Sequence, residues 1–262
     1  MKNPVHVEEL RPVSCGRLIR LGNANDGGYV VPWDAVRNAR ALVSFGLRFD
    51  WSFERDFRKL NPSAVIHCYD HTVSGRNALL FSVTELLRFF ATFRIGSLRH
   101  ALTWLDYEYF FRRNTVHFRQ RIWRDRSRNS VTVKDVFSRI QGERPAFLKV
   151  DIEGSEYRVL DDILAHADEI DAIAIEFHDV DIVPELFNEC IGKIRQKFHI
   201  VHIHGNNFAG LAPFNFPSAP ELTFLNKRLF ATEPLPSESS YPVRDLDSPN
   251  DPKAPAEELV FE

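Results

Sequence analysis

The sequence predicts an α/β protein: a doubly wound, mostly parallel, seven-stranded sheet with a helical insertion rich in arginine and aromatic residues. Three observations predict it. Short apolar runs alternate with helical patterns along the chain, as in a parallel sheet covered by helices on both faces. The residues that follow the apolar runs are small, acidic or imidazole-bearing, where such a sheet places its ligands. Finally, 44% of the 262 residues are hydrophobic, enough for one sizeable core.

The elements follow in order. Ala41 to Phe45 (ALVSF) is a short buried strand, and Asp50 to Leu60 places Trp51, Phe53, Phe57 and Leu60 at helical spacing. Val65 to Tyr69 (VIHCY) is the next strand and ends at Asp70. A mostly helical segment spans Val83 to Arg113, inside an insertion covering about 74–130. Thr132 starts a helix through Ile140. Phe147 to Val150 is a strand, and Ser155 is the expected N-cap of a helix through Leu164. Ala172 to Phe177 is a strand; Pro184, suited to a first helical turn, opens a helix to Lys197. Phe198 to Ile203, Leu222 to Leu225 and Arg228 to Phe230 complete the sheet. Residues 1–232 therefore read as one domain, and 233–262 as an acidic tail with six prolines, extended and weakly ordered.

Composition excludes several classes. The formal charge of −3 lacks the cationic excess with which a nucleic-acid binder displaces counterions. No apolar run approaches the ~20 residues of a membrane helix, and Met1 to Arg20 has no signal-peptide core, so a cytoplasmic location is the default expectation. Three cysteines without C-x-x-C spacing argue against a disulfide framework or zinc knuckle; Cys68 and Cys190 read as core residues. Charge is uneven, however. Ser74 to Ser130 holds eleven arginines, no lysine and four acids, with eleven aromatics, whereas Glu233 onward holds eight acids and two bases. The basic stretch reads as an amphipathic lid, as a platform for an acidic or carbohydrate acceptor, or as a membrane-surface helix. The opposite charge of the tail makes docking between the two plausible.

Chemistry is expected after the strands. Gly46 permits a close backbone approach, either to a ligand or as a plain turn. The G-x-G-x-x-G loop of a nicotinamide site is absent, because Leu47 to Trp51 follow. Asp70 suits the hydroxyls of a ribose, or alternatively an Asp-based turn with His71 and Thr72. In FLKVDIEGSE, Asp151 and Glu153 stand two residues apart and need a cation, a donor or a raised pKa; Lys149 and Arg158 are nearby partners. Glu176 and His178 share one strand face, and His202 and His204 another. Adjacent strand ends could gather Asp151, His178 and His204 as a general-base group, or as oxygen and nitrogen ligands of a divalent metal.

The run FLKVDIEGSEYRVL resembles the signature of FkbM-family methyltransferases, roughly K-[IV]-D-[IV]-E-G-x-E before an apolar helix. Asp26-Gly-Gly-Tyr29, Val43-Ser-Phe-Gly46, Cys68-Tyr-Asp70 and AIAIEFH resemble further elements of one branch of that family, so the resemblance spans about residues 20–230. It implies a class I, Rossmann-like methyltransferase fold that binds S-adenosyl-L-methionine. Gly28, Tyr29, Ser44, Gly46, Asp70, His71, Asp151 and Glu153 would then contact the cofactor. The Ser-Phe-Gly loop departs from the acidic residue and two glycines of many relatives. The reaction so implied is methylation of a hydroxyl on a sugar, glycan or related small molecule, with Asp151, His178 and His204 as catalytic candidates. A metal-dependent hydrolase, a non-catalytic glycan-binding protein and, last, a nicotinamide oxidoreductase are the alternatives.

Overall fold

The computed structural model describes residues 4–93, 101–112 and 114–261. The central sheet contains β3 (Ala41–Phe45), β4 (Val65–Tyr69), β5 (Thr115–Phe118), β8 (Ala146–Val150), β9 (Ile170–Glu176), β10 (Phe198–Gly205) and β11 (Pro220–Asn226). Its order is β10-β11-β9-β8-β3-β4-β5, seven strands in all, and only β11 runs antiparallel to its neighbours. β1 (Leu18–Leu21) and β2 (Tyr29–Pro32) form a separate hairpin, and β6 (Arg121–Ile122) pairs with β7 (Ser130–Val131).

Two apolar layers flank the sheet. One face meets Phe53 and Phe57 of α2 (Ser52–Leu60), Val36 of α1 (Trp33–Asn38) and Tyr29 of the hairpin. The other meets Phe137 of α5 (Val133–Arg139), Leu160 of α6 (Glu156–Leu164) and Phe187 of α7 (Pro184–Ile194). Strand residues alternate between the layers, Leu42 and Phe147 to the first, Val43 and Leu148 to the second. Local signals agree with this packing. Thr132 and Asp135 form a reciprocal capping box on α5, and Pro184 occupies the first turn of α7.

The chain runs outward from β3 through β4 to β5, then returns to β8 on the other side of β3. This reversal is the switch point at whose strand ends ligands bind. Gly46 makes it narrow. Its φ is +86°, and a Cβ on it would lie 1.7 Å from the Asp151 carbonyl oxygen. The Asp151 N–H donates to the Phe45 carbonyl at 2.9 Å, so only glycine lets the two strand ends close.

Several expectations need correcting. The seventh strand is β5, within the arginine-rich stretch; Lys227–Leu229 is instead a 3-10 helix. Among the described residues the helical insertion comprises α3 (Gly75–Thr92) and α4 (Thr103–Phe110), which end well before residue 130. The part of that expectation falling on residues 94–100 and 113 lies outside the described residues. Ser155 precedes α6 but makes no side-chain cap; Glu156 accepts from the Ile152 N–H instead, at 2.9 Å.

Residues 233–262 have little regular structure, yet they are tied down. Asp247 is buried, accepting from the Val243 N–H at 2.6 Å and meeting His202 at 2.9 Å and His204 at 3.6 Å. Asn250 bridges His204 at 3.0 Å and Glu221 at 2.8 Å. The acidic tail thus docks on β10 and β11, at the opposite edge of the sheet from β5, and does not cover the arginine-rich helices. Among the described residues no helix is long and apolar enough to cross a membrane. Asp247→Ala leaves the buried His202 imidazole without its partner, so it should lower the unfolding free energy by about 1–3 kcal/mol. Denaturant unfolding measures this; an unchanged midpoint would mean the tail docks without stabilising the sheet.

Candidate active site

Two chambers open at the carboxyl end of the sheet. The first, about 580 Å³, lies at the ends of β3, β4 and β8 and against β6. Its walls include Phe49, Ile122, Trp123 and Ile152, with polar groups from Asp70, His71 and Thr72. The second, about 490 Å³, lies over β3, β8, β9 and the loop after β10, and is lined by Asp26, Asp50, Lys149, Glu176, His178 and Asn206. Leu47, Arg48, Asp151 and Glu153 line both, so Asp151 stands at the partition. Both volumes fall within the roughly 300–1,000 Å³ of ligand pockets.

A buried cation organises the partition. Lys149 is only 4% exposed. Its Nζ donates to the Gly46 carbonyl at 3.3 Å and stands 3.9 Å from both Glu54 Oε1 and Asp151 Oδ2. Burial disfavours the ammonium, but Glu54 and Asp151 outweigh it and raise its pKa, so it stays charged. Glu54 is held in turn by Ser44, whose hydroxyl donates at 2.5 Å. Burial and then Asp151 raise the Tyr29 pKa well above normal. The neutral hydroxyl donates to Asp151 Oδ2 at 3.2 Å.

His178 completes the surround of Asp151. Its Nδ1 lies 3.2 Å from the buried Glu156, and Nε2 faces Glu153 at 3.6 Å and Asp151 at 4.0 Å. Burial opposes its charge, but the Glu156 hydrogen bond and the surrounding carboxylates prevail and raise its pKa to about 9. His178 is therefore an imidazolium at neutral pH, with Nδ1–H donated to Glu156. Ligand atoms of Asp151, Glu153 and His178 lie within 4.8 Å of one another, a spacing that could hold a metal ion.

Sequence reasoning noticed Glu176 only for its strand face. It stands directly across from Glu221 in the β9–β11 ladder, and both are buried. Burial, then the charge of Asp151, raises Glu176 to about 8; burial and Glu176 raise Glu221. Asn206 donates to Glu176 at 2.7 Å and holds it at the wall of the second chamber. Trp123 was likewise legible only as one aromatic among many. Arg121 and Arg158 stack on its ring at 4.6 and 5.3 Å, fixing the indole as a wall of the first chamber.

The remaining expected site residues divide clearly. Asp151, Glu153 and His178 come together; His204 does not, being buried against Asn250 and Asp247 of the tail. Ser44 faces Glu54 inside the core rather than a chamber. Gly28 sits in the hairpin, where a Cβ would meet the Asn23 carbonyl at 2.0 Å, while its neighbour Gly27 lines the second chamber. Asp70 does line the first chamber, but its carboxylate is engaged. Oδ2 accepts from the Leu47 and Arg48 N–H groups, both at 2.9 Å, and Oδ1 from the N–H and hydroxyl of Thr72, both at 2.6 Å. Burial opposes its charge, but these four donors prevail and lower its pKa. Asp70 therefore shapes the loop after β3, and a ribose hydroxyl could reach it only by displacing Thr72. His71 is exposed at the rim.

Both carboxyls of the Glu176–Glu221 pair carry raised folded-state pKa values. Their stability contribution is complete below the unfolded value near 4.5 and is lost as pH rises through about 8. Glu221→Gln should therefore lose less melting temperature between pH 5 and pH 8 than the wild type. Equal losses would mean that Glu221 does not contribute to the pH dependence.

No curated protein matches the chain. Among solved structures, it is similar to the fibrillarin pre-rRNA processing protein of Methanococcus jannaschii, with 8% identity, a TM-score of 0.40, and coverage of 73% of this chain and 68% of that one. It is also similar to a precorrin-6y C5,15-methyltransferase from Geobacter metallireducens, with 10% identity, a TM-score of 0.37, and coverage of 74% and 86%. Residues 103–206, which run from α4 through β8, α6 and β9 to Asn206, match the methyltransferase FkbM domain.

Proposed function

We propose that this methyltransferase uses S-adenosyl-L-methionine to methylate a hydroxyl of a sugar or related small molecule. The observation that carries the reading is the pair of chambers meeting at Asp151. The first suits the cofactor: its size is adequate, Trp123 offers a flat face for a purine, and Asp151 offers a negative charge where a sulfonium would lie. When bound, S-adenosylmethionine supplies a methyl group on a sulfonium, whose departure leaves a neutral thioether.

The second chamber suits a hydroxyl-bearing acceptor. Its carboxylates accept hydroxyl hydrogen bonds and repel anionic groups, while Phe208 presents an aromatic face. Asp151, with Lys149 at 3.9 Å and His178 at 4.0 Å, orients the acceptor oxygen toward the partition. As the new O–C bond forms, the hydroxyl proton must leave. Glu176 titrates at about 8, nearest to neutrality among the chamber carboxylates, and is best matched to take it. His178 at about 9 remains cationic and contributes by positioning Asp151.

The spacing of Asp151, Glu153 and His178 favours a second reading, in which a divalent cation holds the acceptor hydroxyl. It would have to displace the His178 proton. Chelation that abolishes transfer, with restoration by magnesium or manganese, would favour this reading; activity insensitive to chelator would remove it.

Transfer from labelled S-adenosylmethionine to a panel of sugars and glycosides tests the proposal. Asp151→Asn should lower kcat by about 100-fold or more through lost alignment. In the wild type, kcat should rise with pH as Glu176 ionises through about 8 and fall as His178 deprotonates through about 9. Glu176→Gln should lose the rising limb and about 100-fold in rate. An unaltered rising limb in that variant would assign the base elsewhere, and full activity of Asp151→Asn would remove Asp151 from the reaction.

A further inference from the structure

The C-terminal tail holds the second chamber from outside. That chamber takes part of its wall from two loops far apart in sequence: Asp26 and Gly27, between β1 and β2, and Asn206, Phe208 and Ala209, after β10. Residues 249–257 reach both loops. Asn25, next to Asp26, donates from Nδ2 to the Pro249 carbonyl at 2.7 Å. Asn250, only 1% exposed, donates to Asp26 Oδ1 at 3.4 Å and to Glu221 Oε1 at 2.8 Å.

The loop after β10 is gripped more firmly. Asn207 stands between Asn206 and Phe208 but turns its buried side chain to the tail. Its Nδ2 donates to the carbonyls of Asp251, Ala254 and Pro255 at 3.0, 3.2 and 3.0 Å. Its Oδ1 accepts from the Asp251 N–H at 2.7 Å. Just before it, Gly205 lets the tail lie against the strand, because a Cβ there would meet Glu257 Cβ at 2.9 Å and Pro217 Cγ at 2.6 Å. Asn206 faces the other way, donating to Glu176 at 2.7 Å and accepting from the Phe208 N–H at 2.9 Å. Tail and chamber thus hold one short loop from opposite sides.

A buried amide with these partners is fixed in place, since each bond left unmade would strand a desolvated polar group. Movement of Asn207 would carry Asn206 and Phe208 with it, and movement of Asn25 would carry Asp26. Neither Asn25 nor Asn207 lines the chamber itself. We propose that residues 249–257 are a strap that sets the shape of the second chamber, with Asn207 and Asn25 as positioning residues for its acceptor. The inference rests on the reading of that chamber as the acceptor's.

The test compares the full-length variants Asn207→Ala and Asn25→Ala with the wild type. Asn25 is half-buried, so its variant carries the experiment should Asn207→Ala fold poorly. Hydrogen exchange reads the strap without any acceptor. Asn207→Ala should speed exchange at 206–209, and Asn25→Ala at 23–27, each by about tenfold. The Thr72 amide, on the wall of the first chamber, should be unchanged in both, as should the Kd of S-adenosylhomocysteine. For the sugar or glycoside that the wild type methylates fastest, KM should rise about tenfold with kcat little changed. A lower melting temperature with an unchanged KM would mean that the tail only stabilises the fold, and would overturn the proposal. Unchanged exchange in both loops would overturn it too, as would equal weakening of acceptor and S-adenosylhomocysteine. If the wild type methylates no sugar or glycoside, the acceptor reading fails, and hydrogen exchange alone decides whether the tail is a strap.

Discussion

The site depends on one buried cation. Lys149 sits on β8 with its ammonium among Glu54, Asp151 and the Gly46 carbonyl. Carboxylates drawn from water at such positions would otherwise take up protons, because desolvation penalises the charged form. Lys149 places a cation beside Asp151 at the partition of two chambers and opposes the rise that burial imposes on the Glu54 pKa, while Glu54 ties α2 to the sheet through Ser44. Replacing the lysine by an apolar residue would remove the cation at the partition and the charge that offsets the burial of Glu54.

Around that cation the backbone carries strain at a few chosen points. Arg48, Glu153 and Asp179 adopt positive φ without being glycine, and Gly46 and Gly154 accompany them. All five lie in loops at the carboxyl end of the sheet. Such residues cost energy and persist where the surroundings over-determine them, as at ligand sites. Asp70 is part of the determination, since one carboxylate oxygen holds the Leu47 and Arg48 N–H groups of the turn while Thr72 fixes the other. The carboxylate expected to contact a ribose is thus chiefly a brace for the loop over which a cofactor would lie. Arg48 and Glu153 meet at 3.6 Å across the mouth shared by both chambers, but they are 79% and 61% exposed. An exposed pair of this kind stabilises by less than about 1 kcal/mol and would part easily for a ligand.

Much of the architecture was legible in the sequence, because buried parallel strands read as short apolar runs and caps have local signatures. ALVSF, VIHCY and the helix that Thr132 starts appear where the pattern placed them. β5 escaped because a four-residue strand buried only at Thr115, beside arginines, carries little periodicity, so the edge strand hid within a stretch that read as helix. In the site, the Asp151–Glu153 spacing and the placement of His178 were visible from strand ends. The exclusion of His204 was not, because it depends on Asp247 and Asn250, more than forty residues away, in a tail whose composition suggested disorder. Glu176 and Glu221 acquire their meaning only from ladder register, which no local pattern encodes.

The central proposal is that the chamber at β3, β4, β6 and β8 holds S-adenosylmethionine, with the partition at Asp151 facing the acceptor. Calorimetric titration with S-adenosylhomocysteine, of the wild type and of Trp123→Ala, tests it most directly. The account predicts micromolar binding to the wild type, weakened in Trp123→Ala by loss of the stacking face. Absence of binding to the wild type, or binding indifferent to Trp123, would contradict it.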